Sequence, residues 1–348
     1  MTMQGQDITR AFSPETFTLG KSYDSTLTAL NVGTVHFKFA ARMTTEATSM
    51  EYDGITQLLG SSVEIVQGEK ALVRANPKSL RHLSALTAGG YELYNNVITT
   101  ATDNYTHFSL DLDRLQPGAM IPTANNVPVS IRGTFGALTD FAGGGTTAIA
   151  GDFKPHATSS PTDPDLDHLR PAISQFRVDL SSASNDIQHR LAFENDVLLA
   201  GFMVQAVDSS ATTTNENVDG LIRGLQIELH SGNANTDIVR AKWGTLRQKT
   251  CHDAGFNRDD VVNSQGVAMI RTVNRAGGKA RSMRLSKGNA MTWRFDNDTA
   301  IEREYTAITP AAGDHALVTV LGFELIKGAP RQTTASPNVR KVARRAGR

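Results

Sequence analysis

The 348-residue chain holds one cysteine, Cys251, so no disulfide closes within it and neither a cysteine-rich zinc centre nor a stapled secreted scaffold is possible. Stability has to come from burial. No stretch approaches the roughly 18 uninterrupted apolar residues that a membrane helix requires. The opening MTMQGQDITRAF lacks the apolar core of a signal peptide, and the expectation is a soluble chain. Long amphipathic helices are missing, and so are the common catalytic signatures. There is no Walker phosphate loop, since Gly277-Gly278-Lys279 runs into Ala280, and no G-x-S-x-G elbow. Nine scattered histidines include no H-E-x-x-H or Cys/His spacing, so no metal or cofactor is expected. Net charge is also absent, with 35 basic against 35 acidic residues.

That balance hides an asymmetry. Residues 331–348 carry Arg331, Arg340, Lys341, Arg344, Arg345 and Arg348 without an acid, so a mildly acidic body ends in a basic arm too poor in apolar residues to fold alone. The body, 39% hydrophobic with 29 glycines and 12 prolines, reads as globular and turn-rich, and its length fits two domains of about 150 residues.

The dominant periodicity is two, the spacing that sends alternate side chains to opposite faces of a sheet. Val35, Phe37, Phe39, Ala41 and Met43 share one face, and the alternation recurs at Phe108/Leu110/Leu112, at Val129/Ile131 and at Met291/Trp293/Phe295. Residues 197–207 and 317–326 are apolar on both faces, as strands inside a sandwich core are. Between 142 and 172 the pattern gives way to Gly, Pro, Ser, Thr and Asp, which reads as a linker. It separates two similar blocks, 14–141 and 173–328, flanked by arms at 1–13 and 329–348.

The blocks repeat one another. Asp53-Gly54-Ile55, Val63-Glu64-Ile65, Gly68, Val73-Arg74-Ala75, Leu80-Arg81 and Ala88-Gly89 match Asp219-Gly220-Leu221, Ile227-Glu228-Leu229, Gly232, Val239-Arg240-Ala241, Leu246-Arg247 and Ala254-Gly255. The offset is 166 residues at both ends and 164 through the strand and turn. Ser79 and Thr245 stand at equivalent helix N-caps, and Gly89 and Gly255 end the helices.

Two tandem all-β sandwiches, each with a short helix inserted after an early strand, resemble the double jelly-roll major capsid proteins of tailless, internal-membrane bacterial viruses, the corticovirus and tectivirus group. The passage SSVEIVQGEKALVRANPKSLRHLSAL, 61–86, carries the likeness most strongly. The resemblance implies two eight-stranded jelly rolls and a homotrimer of pseudo-hexameric outline. It further implies an icosahedral shell over an internal membrane, made in the host cytoplasm and located in the virion. Partners would be neighbouring trimers, the membrane and minor capsid or vertex proteins, with no sequence-specific nucleic acid. The basic arm would meet lipid or neighbouring capsomers.

Other residues invite chemistry. Asp163, Asp165 and Asp167 start a calcium-type pattern, but His168 and Ser174 stand where an EF-hand loop needs Gly and Glu. Cys251 neighbours His252 yet has no evident orienting partner, so it reads as a half-buried helix cysteine. Six basic residues, Arg271, Arg275, Lys279, Arg281, Arg284 and Lys287, read as a strand face plus a loop, with an acidic neighbouring subunit as the alternative partner. Trp243 and Trp293 suit core or interface positions. The competing reading is a two-domain carbohydrate-binding or glycan-processing protein, for which Asp111, Asp113, Glu302 and Glu304 are the candidate carboxylates.

Overall fold

The computed structural model describes residues 8–27, 31–43, 54–90, 103–122, 127–136, 148–159, 168–209, 216–272, 282–298 and 305–326. The first half contains β1 (Ile8–Ala11), β2 (Glu15–Thr16), β3 (Ser22–Leu27), β4 (Thr34–Met43), α1 (Gly54–Gln57), β5 (Val63–Gln67), β6 (Lys70–Ala75), α2 (Pro77–Ala88), β7 (Asp103–Asp111), α3 (Leu112–Leu115), β8 (Val129–Thr134), β9 (Ala148–Phe153) and β10 (His156–Ser159). The second contains β11 (His168–Asp179), β12 (Ile187–Ala192), β13 (Val197–Asp208), β14 (Glu216–Asn217), β15 (Gly224–Ser231), β16 (Ala234–Lys242), α4 (Trp243–Ala254), α5 (Arg258–Asn263), β17 (Val267–Arg271), β18 (Met283–Leu285), β19 (Ala290–Asp296) and β20 (His315–Ile326).

Both halves thread their strands identically. In the second, β11, β20, β13 and β17 are hydrogen-bonded neighbours, as are β12, β19, β15 and β16. Leaving out the short β14 and β18, these sheets run first-eighth-third-sixth and second-seventh-fourth-fifth, the paired sheets of a jelly roll. The first half follows the same scheme, with its first strand broken into β1 and β2 and its eighth into β9 and β10. These pair with each other and then with β4 and β7, while β3, β8, β5 and β6 form the facing sheet. The described residues are therefore two complete jelly rolls.

This corrects three boundaries read from the sequence, the first being the start of the second roll, since residues 168–172 already belong to β11 and pair with β20. Residues 148–159 are not linker: β9 and β10 lie between the first strand and β4, with Phe153 and Ala157 fully buried. The segment looks like linker because glycine occupies a strand position. A Cβ on Gly151 would lie 2.7 Å from the Ala40 carbonyl oxygen and 2.9 Å from Phe17 Cβ, so close packing there excludes a side chain. The N-terminal arm of 1–13 likewise contains β1, which pairs with β10.

The duplicated hairpins show what the 164-residue offset means. Val73 pairs with Ile65 and Val239 with Ile227, and the next pair in each hairpin skips one residue, Leu72 or Ile238, as a bulge. Paired by structure, β5 and β15 stand 162 residues apart, Val63 matching Leu225, because the second hairpin is two residues longer on each strand before its turn. The sequence match slips by two positions, which preserves which side chains face inward.

If 148–159 closes the first roll, Phe153 is a core residue. It packs 5.3 Å from Tyr23 and 6.5 Å from Phe37, ring to ring. Phe153→Ala should lower unfolding free energy by about 3–5 kcal/mol; a urea midpoint unchanged from wild type would return the segment to linker status.

Candidate functional site at the seam between the rolls

The second roll's β11-β20-β13-β17 sheet buries both its faces. Phe202, Val204, Ile270, Val318 and Val320 point into that roll's own core, while Met203, Val267, Met269, Leu321 and Phe323 belong to the core of the first roll. Period-two alternation thus serves two cores with one sheet, which is why these strands read as apolar throughout. Each larger side chain on the outer face contributes roughly 1.5–3 kcal/mol by burial, so the rolls are joined as one body. Sheet continuity adds to this, since β6 meets β11 in a parallel bridge at Val73 and Ile173.

Helix α2 fills the seam. Its start is fixed by Asn76, whose Oδ1 accepts the Lys78 N–H at 2.8 Å, and by Pro77 in the first turn. The helix thus begins two residues before Ser79, so the capping role read for Ser79 is wrong. Thr245 is no cap either, because α4 starts at Trp243 after Lys242, which makes no side-chain cap bond. Both residues are third in their helices and their environments differ. Ser79 is fully buried: its hydroxyl bonds Gln205, and Gln175 Nε2 donates to it at 2.6 Å. Gln175 Nε2 also reaches Thr319 at 3.1 Å, and its Oε1 accepts the Asn76 N–H at 2.9 Å. Thr245 is exposed. The stop signals hold, since Gly89 and Gly255 both take the left-handed conformation at the helix C-termini.

The repeated Leu-Arg pairs turn inward. Arg81 and Arg247 are each only 3% exposed. Arg247 donates to the Val267 carbonyl at 2.7 Å and lies 2.8 Å from Asp219, which also accepts from Trp243 Nε1 and the Gly266 N–H. The repeated Asp-Gly thus anchors the second helix to its roll, while Asp53 lies outside the described residues. His82, buried on α2, is bonded through Nε2 to the Asn217 amide at 2.9 Å. Burial first, then the charges of Lys78, Arg81 and Arg247, hold its imidazole well below the usual histidine range. At the rim Glu324 accepts from Lys70 of the first roll at 2.6 Å and from Arg170 at 2.8 Å. Burial opposes its charge, but the two cations win and hold its carboxyl below the ordinary value.

At the head of α2 a cavity of about 320 Å³ opens between the rolls, lined by Asn76, Lys78, Gln175, Arg177, Gln205 and His315 among others. Its lining contains amides and cations but no carboxylate, so it lacks the acid–base pair of glycan hydrolysis. Asp111 and Asp113 are occupied locally: the first caps α3 through the Arg114 N–H and the second accepts the Gly118 N–H. Glu302 and Glu304 lie outside the described residues, as do Asp163, Asp165, Asp167, the basic arm, Arg275, Lys279 and Arg281. Cys251 is half-buried on α4, and the neighbouring His252 ring contacts Asp253. Arg271 reaches across the seam to the Leu86 carbonyl near the C-terminus of α2, whereas Arg284 pairs with Asp196 on its own roll. Among the described residues no group of three His, Cys, Asp or Glu is placed to hold a metal. The residues that sequence reasoning missed, Gln175, Gln205 and Thr319, carry one signal, that of lone polar side chains interrupting apolar strands.

The fold and seam together define a double jelly roll of the kind found in viral major capsid proteins. No protein-family model and no curated protein matches the chain. Solved structures do. The STIV MCP, of Sulfolobus Turreted Icosahedral Virus, is similar with a TM-score of 0.65 at 12% identity over 93% of this chain and 98% of its own. The PBCV-1 virus capsid gives 0.62 at 12% identity over 92% and 94%, and the Faustovirus major capsid protein 0.50 at 7% over 93% and 90%.

Two outcomes follow from the seam. Ser79→Ala leaves Gln175 and Gln205 short of a partner in a buried place and should cost about 1–3 kcal/mol, while exposed Thr245→Ala should stay within about 0.5 kcal/mol. Equal losses in denaturant titrations would restore the capping roles. His82 is neutral when folded, and its pKa is depressed relative to the unfolded chain. The unfolded state therefore takes up the extra proton, and stability falls as pH drops below about 6.5, by up to about 1.4 kcal/mol per pH unit. His82→Gln should flatten that slope in thermal melts at pH 5 to 7; a slope equal to wild type would contradict it.

Proposed function

We propose that this protein is a major capsid protein whose homotrimers, pseudo-hexameric in outline, tile an icosahedral shell over the internal membrane of a bacteriophage. The observation that carries this reading is the pair of complete jelly rolls locked by a buried seam. Such a body presents sheet edges, faces and loops, and lacks a carboxylate-lined cleft at its seam. The fold shared with viral capsid structures supports it, and the resemblance of residues 61–86 to proteins of membrane-containing bacterial viruses supplies the host class and the membrane. Closed rotational symmetry satisfies exposed patches without open-ended growth, and three two-roll chains make six similar wedges.

The basic arm, with Arg331, Arg340, Lys341, Arg344, Arg345 and Arg348, is assigned to the inner surface of the shell. Anionic headgroups there would attract it by roughly 1 kcal/mol per nearby Lys or Arg before screening. Minor capsid or vertex proteins would complete the shell. Light scattering of the purified chain should give a trimer at micromolar concentration, and deletion of 331–348 should keep the trimer while reducing lipid content or particle yield. A wild-type monomer would overturn the capsid reading, and truncated particles of normal yield and lipid content would overturn the arm's role.

A further inference from the structure

The cavity at the head of α2 has one sheet face as its floor and the other roll as its roof. Arg177, Leu317 and Gln205 form one row across β11, β20 and β13, and His315, Val207 and Asn217 form the next across β20, β13 and β14. Asn76 and Lys78 at the start of α2, with Gln57, Gly60 and Ser61 of the first roll, close the other side. Both rolls thus face one space of about 320 Å³, at the small end of ligand-holding cavities.

Two features of this space call for a ligand. The first is a buried donor without an acceptor. Gln205, 1% exposed, accepts the Ser79 hydroxyl through Oε1, while its Nε2 has no partner among the described residues. A buried amide donor left unpaired is costly, so an acceptor belongs in front of it. The second is positive charge gathered without a counter-charge. Arg177 Nη2 and His315 Nδ1 both donate to the Gly313 carbonyl, at 2.9 and 2.8 Å, which holds the two side chains together. Lys78 lies on the same cavity, whose lining has no carboxylate. The acids that act on His315 are engaged elsewhere: Asp314 accepts the Ser209 and Ala311 N–H groups, and Asp179 accepts the Ser181 N–H. The positive end of the α2 dipole adds to the field.

We propose that the seam cavity binds the phosphate monoester of a small hydroxylated molecule, a sugar phosphate, with its phosphate against Arg177, His315 and Gln205 and its body against Asn76, Gln175 and Ser61. The guanidinium fork matches an oxyanion, and a bare phosphate would leave most of the volume unfilled. Amides and a hydroxyl on the far side offer sugar hydroxyls both donors and acceptors. Because the ligand touches both rolls, it binds only the closed seam and stabilises it by mass action. Binding is also linked to a proton. The Gly313 carbonyl takes the Nδ1 proton of His315, so the neutral ring keeps an acceptor at Nε2, and an anion beside it favours protonation there. In the free chain burial, the largest influence, and the Arg177 charge lower the pKa of this imidazole, against the Gly313 carbonyl, Asp314 and Asp179. Lys78 is the charged group of α2 that faces the same space. A bound anion opposes these positive charges, so the bound state holds the extra proton and affinity rises as pH falls.

Isothermal titration calorimetry of the full-length chain with ribose 5-phosphate, inorganic phosphate, sulfate and ribose tests this. Ribose 5-phosphate should bind at one site per chain and raise the melting temperature, inorganic phosphate should bind at least tenfold more weakly, and ribose should not bind. Arg177→Gln changes an exposed side chain, and Gln205→Glu keeps the acceptor for Ser79 while replacing the free donor by a carboxylate. Each should weaken binding at least tenfold, whereas Arg190→Gln, at an exposed position of β12, should bind like wild type. Sulfate keeps its charge throughout, so its binding should tighten from about pH 8 to about pH 6 and lose that dependence in His315→Gln. Equal affinity for inorganic phosphate and the ester overturns the sugar-phosphate assignment, and a flat sulfate profile in the wild type removes His315 from the site. Binding undiminished in both Arg177→Gln and Gln205→Glu belongs to the basic arm and overturns the site. Failure of every probe to bind at millimolar concentration leaves a water-filled gap and overturns it as well, while the capsid reading stands in each case.

Discussion

One sheet with two dry faces sets most of this molecule. Because the outer face of β11-β20-β13-β17 is buried against the first roll, its strands are apolar at successive positions and its few polar side chains have to find partners there. Gln175 and Gln205 meet Ser79 on α2, Gln175 also donates to Thr319, and those bonds form at one placement of the helix. Apolar area supplies the strength of the seam, and the amide network selects its register. The parallel bridge at Val73 and Ile173 and the Lys70–Glu324–Arg170 cluster close its rim.

Duplication explains why the same parts differ between the halves. Arg81 and Arg247 occupy matching helical positions and are equally buried, so the Leu-Arg pair belongs to the roll itself. Ser79 and Thr245 also match, but one lies within a seam and the other on a surface. Structural equivalence therefore survives where the roll demands it and lapses where only the seam does.

Much of this was legible in the chain. Alternation located β4, β7, β8 and β19, two-sided apolarity marked β13 and β20, and the repeat marked both hairpins and both helix ends. The misreadings have physical causes. In 148–159 small side chains face large neighbours, so Phe153 and Ala157 do the packing that a longer apolar run would advertise. The start of α2 was signalled by Asn76-Pro77, a better cap and first-turn pair than Ser79, but the match to Thr245 drew attention two residues downstream. The hairpin offset slipped because two extra residues on each strand of the second hairpin keep the inward pattern intact. The seam partners were hidden because pairing across more than 90 residues leaves no local periodicity.

On the trimeric reading proposed above, the two rolls would be successive wedges of one ring, fixed in pairs by the seam. Class averages from electron microscopy of the purified assembly test it most directly. The account predicts threefold particles whose face view shows six similar lobes; isolated two-lobed particles, or twofold dimers, would contradict it.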